Sequence, residues 1–77
     1  MNKQRRKKIE ALISKLDEIM SDLNCLYEEE QEAYDNMPDG LQESERGETI
    51  GENIDGMEQA SSDIEDAISI LQEIVDR

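Results

Sequence analysis

The sequence predicts an all-α protein: an antiparallel two-helix hairpin of coiled-coil type, expected to complete a helical bundle by oligomerisation. Three observations carry this expectation. Residues 3–35 and 45–76 each repeat apolar side chains at alternating steps of three and four. One stretch between them, residues 36–44, holds the only proline. The two periodic segments are nearly equal in length, so they can pair along their whole extent. The chain is therefore read as a single hairpin domain over 1–77, with a helix at about 3–35, a turn at about 36–44 and a helix at about 45–76.

A 3–4 alternation marks a helix that presents one apolar face. In the first segment it runs through Ile9, Leu12, Leu16, Ile19, Leu23 and Leu26, and Glu30 and Ala33 continue it. Ile13, Met20, Tyr27 and Tyr34 add a second stripe beside the seam, and no Gly or Pro interrupts the segment. In the second segment Ile50, Ile54, Met57, Ser61, Ile64, Ile68, Leu71 and Val75 alternate in the same way, flanked by Ala60, Ala67 and Ile74. Gly47, Gly51 and Gly56 each cost a helix interior roughly 1 kcal/mol against Ala. The seam outweighs them, since its one polar break is Ser61.

At about 1.5 Å per residue, each helix spans roughly 45–50 Å. Antiparallel pairing sets Tyr34 opposite Ile50, Glu30 opposite Ile54, Leu26 opposite Met57 and Leu23 opposite Ser61. The ladder continues with Ile19–Ile64, Leu16–Ile68, Leu12–Leu71 and Ile9–Val75, so one register serves every seam position. Local signals agree at the turn. Pro38 biases the residue before it away from helix. Ser44 suits an N-cap, with Glu45 and Glu48 in the first turn that follows. Asn36 is a second possible cap, for a short turn beginning at Pro38.

Composition sets the outer limits. The chain has 77 residues, no Trp, Phe or His and two tyrosines, so it lacks the bulk to fill a globular centre. Hydrophobic residues at 35% and charged residues at 38% suit solvated helices that share a narrow seam. The basic run Lys3, Arg5, Arg6, Lys7, Lys8 is followed by Glu10, Lys15, Asp17 and Glu18, so neither a signal-peptide core nor a membrane span is expected there. The lone Cys25 rules out an internal disulfide framework and fits a reducing cytosol, hence an expected cytoplasmic location. Without histidine, and with one thiol, zinc sites and most nucleophilic triads lose support. No cofactor, metal or catalytic residue is expected, and the protein is read as not an enzyme.

Several features invite sharper readings. Counted from Asp35, the turn matches an EF-hand loop at Asp39 and Gly40, but Met37 and Arg46 occupy ligand positions, so a turn is the better account. Carboxylates are plentiful, yet acid–base chemistry needs a water-poor pocket that a two-helix rod does not make by itself. Glu30 is the one acid on the seam, expected to snorkel, to set register or to lie where the coil splays near the loop. Gly47 and Gly51 are expected to make room for Tyr27 and Tyr34 across the hairpin, the alternative being close backbone approach or ligand contact. Cys25 has no basic neighbour in sequence and reads as an ordinary surface thiol.

Charge layout is the most informative oddity. The net charge is −13, although the basic run at residues 3–8 is strongly positive. The helix ends that meet at the turn carry Glu28, Glu29, Glu32, Asp35, Asp39, Glu43, Glu45 and Glu48, offset only by Arg46. Cations at the start of the first helix and anions at its end both oppose the helix dipole, so local stability did not select them. The acidic tip is expected to keep the rod soluble or to dock on a basic protein, with divalent-cation binding as a further alternative. Direct nucleic-acid binding is not expected against this charge.

The stretch Asn36-Met37-Pro38-Asp39-Gly40-Leu41-Gln42-Glu43-Ser44-Glu45-Arg46-Gly47-Glu48 and the helix after it resemble a group of small, acidic, largely uncharacterised helical proteins of Gram-positive phages, prophages and mobile elements. That resemblance implies a mobile-element origin and no particular activity. The two helices around a Pro- and Ser-containing turn are also similar to the hairpin domain of phage anti-defence sponges, which hold nucleotide signals through basic residues. The resulting expectation is a non-enzymatic interaction protein, an anti-defence accessory that docks on a basic host protein. The alternative is an oligomeric nucleotide-signal sponge whose pocket forms between protomers. Self-association is expected because chains this small usually need disulfides, metal or oligomerisation. A dimer is the default, through Ile13, Met20, Tyr27 and Tyr34 on the first helix and Ile70 and Ile74 on the second.

Overall fold

A computed structural model describes all 77 residues. Three helices follow one another: α1 (Lys3–Asp35), α2 (Asp39–Gln42) and α3 (Glu45–Asp76). The long helices α1 and α3 pack antiparallel along their length, and the single turn α2 bridges them at one end. The molecule is a rod of 58 × 15 × 13 Å with a radius of gyration of 17.4 Å. A compact domain of this length would have a radius of about 11–12 Å. A rod has almost no interior, and Ile13 and Ile54 are its only buried apolar side chains.

Each long helix begins on a side-chain cap. Asn2 accepts a hydrogen bond from the Arg5 amide at 2.8 Å and starts α1. Ser44, in extended backbone geometry, starts α3 and accepts from the Gly47 amide at 3.4 Å. Asn36 ends α1, its amide bonded to the Glu32 carbonyl at 3.0 Å, and Pro38 then heads α2 with no side-chain cap. The turn is thus not loop throughout. Its middle is helical because the Pro38 carbonyl accepts from both Leu41 and Gln42 amides, at 2.8 and 3.2 Å.

The pairing register is the one the apolar ladder predicts. Two cross-helix hydrogen bonds mark it: Ser61 Oγ with Asn24 Oδ1 at 3.2 Å, and Asn53 Nδ2 with Glu30 Oε2 at 3.3 Å. The polar break in the α3 seam and the acid in the α1 seam are therefore each satisfied by the opposite helix. Glu30 is half-buried and held, consistent with a part in setting register.

The rotation of α1 differs from expectation. Its inward face runs through Ile9, Ile13, Leu16, Met20, Leu23, Tyr27, Glu30 and Tyr34, all buried or half-buried. Leu12, Ile19 and Leu26, expected in the seam, are 49%, 52% and 53% exposed. Ile13, Met20, Tyr27 and Tyr34, expected as an oligomer surface, instead pack in the hairpin's own seam. Both stripes lie next to the 9/16/23/30 row, at opposite edges of it, so either completes a 3–4 repeat. Side-chain size decides: the chosen stripe brings two tyrosines inward where the other offers Leu26 and Ala33, and aromatic rings bury far more area. On α3 the expected seam faces inward, and Ile70 is 58% exposed while Ile74 is half-buried.

Candidate functional site: the acidic loop end

The turn is built by a glycine and a glutamine. Gly47 is buried, and a β-carbon there would collide with the Gln42 carbonyl oxygen and lie 2.6 Å from that of Leu41. Only glycine lets the end of α2 lie directly on the first turn of α3. Gln42 then reaches back to α1, its Nε2 donating to the carbonyls of Tyr34 at 3.0 Å and Met37 at 3.4 Å. Ser44 closes the junction by donating through Oγ to the Leu41 carbonyl while accepting from Gly47. Of the two roles expected for the glycines, close backbone approach holds at Gly47 and room for the tyrosines does not. Gly47 makes room for turn backbone rather than for a tyrosine, and a β-carbon on Gly51 would meet nothing.

On this frame the acidic side chains fan outward. Glu28, Glu29, Glu32 and Asp35 occupy the last turns of α1, Asp39 opens α2, Glu43 ends it, and Glu45 and Glu48 sit in the first turn of α3. All are exposed, as is Arg46, the one cation among them. Folding thus gathers at one tip the acids that sequence separates by up to twenty positions. Asp35 accepts from Gln31 Nε2 at 3.2 Å. No three acidic or thiol side chains converge closely enough to hold a metal ion. The Glu45 and Glu48 carboxylates complement the α3 dipole, whereas the acids ending α1 oppose its own.

A second concavity lies mid-rod, an open groove of about 310 Å³ between α1 and α3. Asn24 and Tyr27 line it from α1, and Met57, Glu58, Ser61, Ser62 and Glu65 from α3. Its charged groups are two acids, so it offers no cation to a phosphate. Cys25 is exposed and free. No helix is long and apolar enough to cross a membrane.

Fold and tip together define a helical hairpin with an acidic loop end. Compared with protein families, curated proteins and solved structures, the chain matches none.

Sequence reasoning named the acids of the tip but not what holds them there. The signal for Gln42 is absent from sequence, because its partners are backbone carbonyls. Gly47 was legible as a departure from helix propensity three residues after a capping serine, which is where a chain crossing close to α3 would demand it.

Proposed function

We propose that this chain is a non-enzymatic interaction protein whose acidic loop end docks on a basic host protein. In this reading it acts in the bacterial cytoplasm as an accessory factor of a phage or mobile element, directed against a host defence. The observation that carries it is the concentration of exposed acids on a rigidly built turn, with Arg46 as their only counter-charge. Like charges this close cost stability, and a partner that supplies cations recovers that cost. Gly47, Gln42 and Ser44 hold the turn in one shape, so little ordering is left to be done on binding.

The test is capture of a host protein by the full chain, compared with a variant carrying Glu28→Lys, Glu32→Lys and Glu43→Lys. Charge reversal is expected to abolish capture, and moderate salt to weaken it. A captured protein indifferent to both changes would refute docking through this tip. The alternative, a nucleotide-signal sponge, requires cations that the groove lacks. Thermal stabilisation by nucleotides would favour it.

A further inference from the structure

The polar groove fixes which side of the rod is which. Asn24 of α1 and Glu58, Ser62 and Glu65 of α3 share that side. At 100° per residue, the opposite flank of α1 carries Leu12, Ile19 and Leu26, and the opposite flank of α3 carries Ala60, Ala67, Ile70 and Ile74. The rod therefore has one continuous apolar side, on which Leu12, Ile19, Leu26 and Ile70 are about half exposed or more and Ile74 is half-buried. With two buried apolar side chains inside, this face is the main unspent source of hydrophobic stabilisation.

We propose that a second copy of this chain covers this face, with the two rods antiparallel about a two-fold axis that crosses them at Ile19. The spacing and the charges both point there. Leu12, Ile19 and Leu26 are equidistant, so reversal about Ile19 lays Leu12 on the partner's Leu26 and Ile19 on its own copy. Beside this stripe runs a row at the same seven-residue spacing: Lys8, Lys15, Asp22 and Glu29. Reversal sets Lys15 by the partner's Asp22 and Lys8 by the partner's Glu29. Parallel rods would instead bring the two acidic loop ends side by side. The basic run at residues 3–8 comes level with residues 30–35 of the partner, which include Glu32 and Asp35.

α3 agrees. Its register against α1 places the same axis at Glu65, so Ile70 meets the partner's Ala60 and Ile74 meets the partner's Gly56. A β-carbon on Gly56 would find open space, which is room for that isoleucine. At the rim Asp63 falls by the partner's Ala67, four residues along from its own copy, and its carboxylate already accepts from Gln59 Nε2 at 2.9 Å. The turn, residues 36–48, projects past the partner's end, so its acids Asp39, Glu43, Glu45 and Glu48 stay free for the docking proposed for the tip, while Glu29, Glu32 and Asp35 lie along the partner's basic run.

The experiment uses the full chain with Cys25→Ser. Sedimentation at micromolar concentration is expected to give twice the 8.8 kDa chain mass. Ile19→Cys is expected to oxidise to a disulfide-linked dimer. Leu12→Cys and Leu26→Cys should link to each other on mixing and not to themselves. Lys15→Glu should weaken the dimer roughly tenfold, because two symmetry-related pairs turn repulsive, and adding Asp22→Lys should restore it. These side chains are exposed in the single hairpin, so its helicity should persist, as circular dichroism would verify. A monomer at that concentration overturns the proposal. So does a dimer that fails to link through Ile19→Cys or is not rescued by the charge swap.

Discussion

At the open end of the rod, α1 and α3 meet through Ile9, Ile13 and Leu16 against Ile68, Leu71 and Val75, and the termini are otherwise untied. At the loop end the apolar contact thins to Tyr34, Met37 and Ile50, and hydrogen bonds from Gln42 and Ser44 take over around Gly47. One end is defined by a repeating pattern that tolerates small errors. The other is defined by a few atoms that do not. The difference teaches where each kind of substitution should hurt, and it also places the candidate docking surface on the stiffer end.

The largest expected effect tests the seam. Leu16→Pro or Ile64→Pro removes a backbone hydrogen bond in mid-helix and inserts a ring into the preceding turn, at a cost of about 3 kcal/mol or more. A two-helix rod has no second core to absorb that, so far-ultraviolet circular dichroism should show loss of helix in the whole chain. If the loop end stayed folded by itself, protected amides would survive at Gln42 and Gly47, and the contrast between the ends would be sharper than drawn.

A pair of glycine substitutions tests the loop end. Gly47→Ala drives a methyl into the Gln42 and Leu41 carbonyls, and overpacking of this kind costs about 1–3 kcal/mol. Gly51→Ala, one helical turn further on, meets open space and should stabilise α3 by about 0.4–1 kcal/mol. Chemical denaturation of both variants gives the comparison directly. Two changes of the same sign would mean that the turn is not held against α3 at Gly47.

These contrasts also explain what could be read from the sequence. The register of the hairpin was legible because one alignment satisfied an eight-step apolar ladder. The rotation of α1 was not, since three apolar stripes lie within about 100° of arc and each outer one pairs equally well with the middle row. The choice turned on the bulk of Tyr27 and Tyr34, a property that periodicity ignores. Four-residue α2 was too short for any period, although Pro38 marked its start. The acids of the tip were legible by type. Their convergence required the turn geometry, and that depends on what Gln42 and Gly47 touch.

The smallest expected effects come from the two helix caps, and they separate the ends most cleanly. Asn2 makes the better hydrogen bond, 2.8 Å to the Arg5 amide, against 3.4 Å from the Gly47 amide to Ser44. On bond geometry alone Asn2→Ala should cost more. Position reverses the order. The first turn of α1 lies at the untied end, with Lys3, Gln4 and Arg5 exposed, and it can fray without disturbing the seam. Ser44 joins α2 to α3 and bonds to both sides, so its loss loosens the contact at Gly47 as well. Ser44→Ala should therefore lower global stability by about 1 kcal/mol, within the usual range for a lost cap. Asn2→Ala should leave the unfolding midpoint nearly unchanged and speed amide exchange only around Arg5 and Arg6. Measured on the dissociated hairpin, equal losses of global stability from both would show that the open end is as firmly held as the turn.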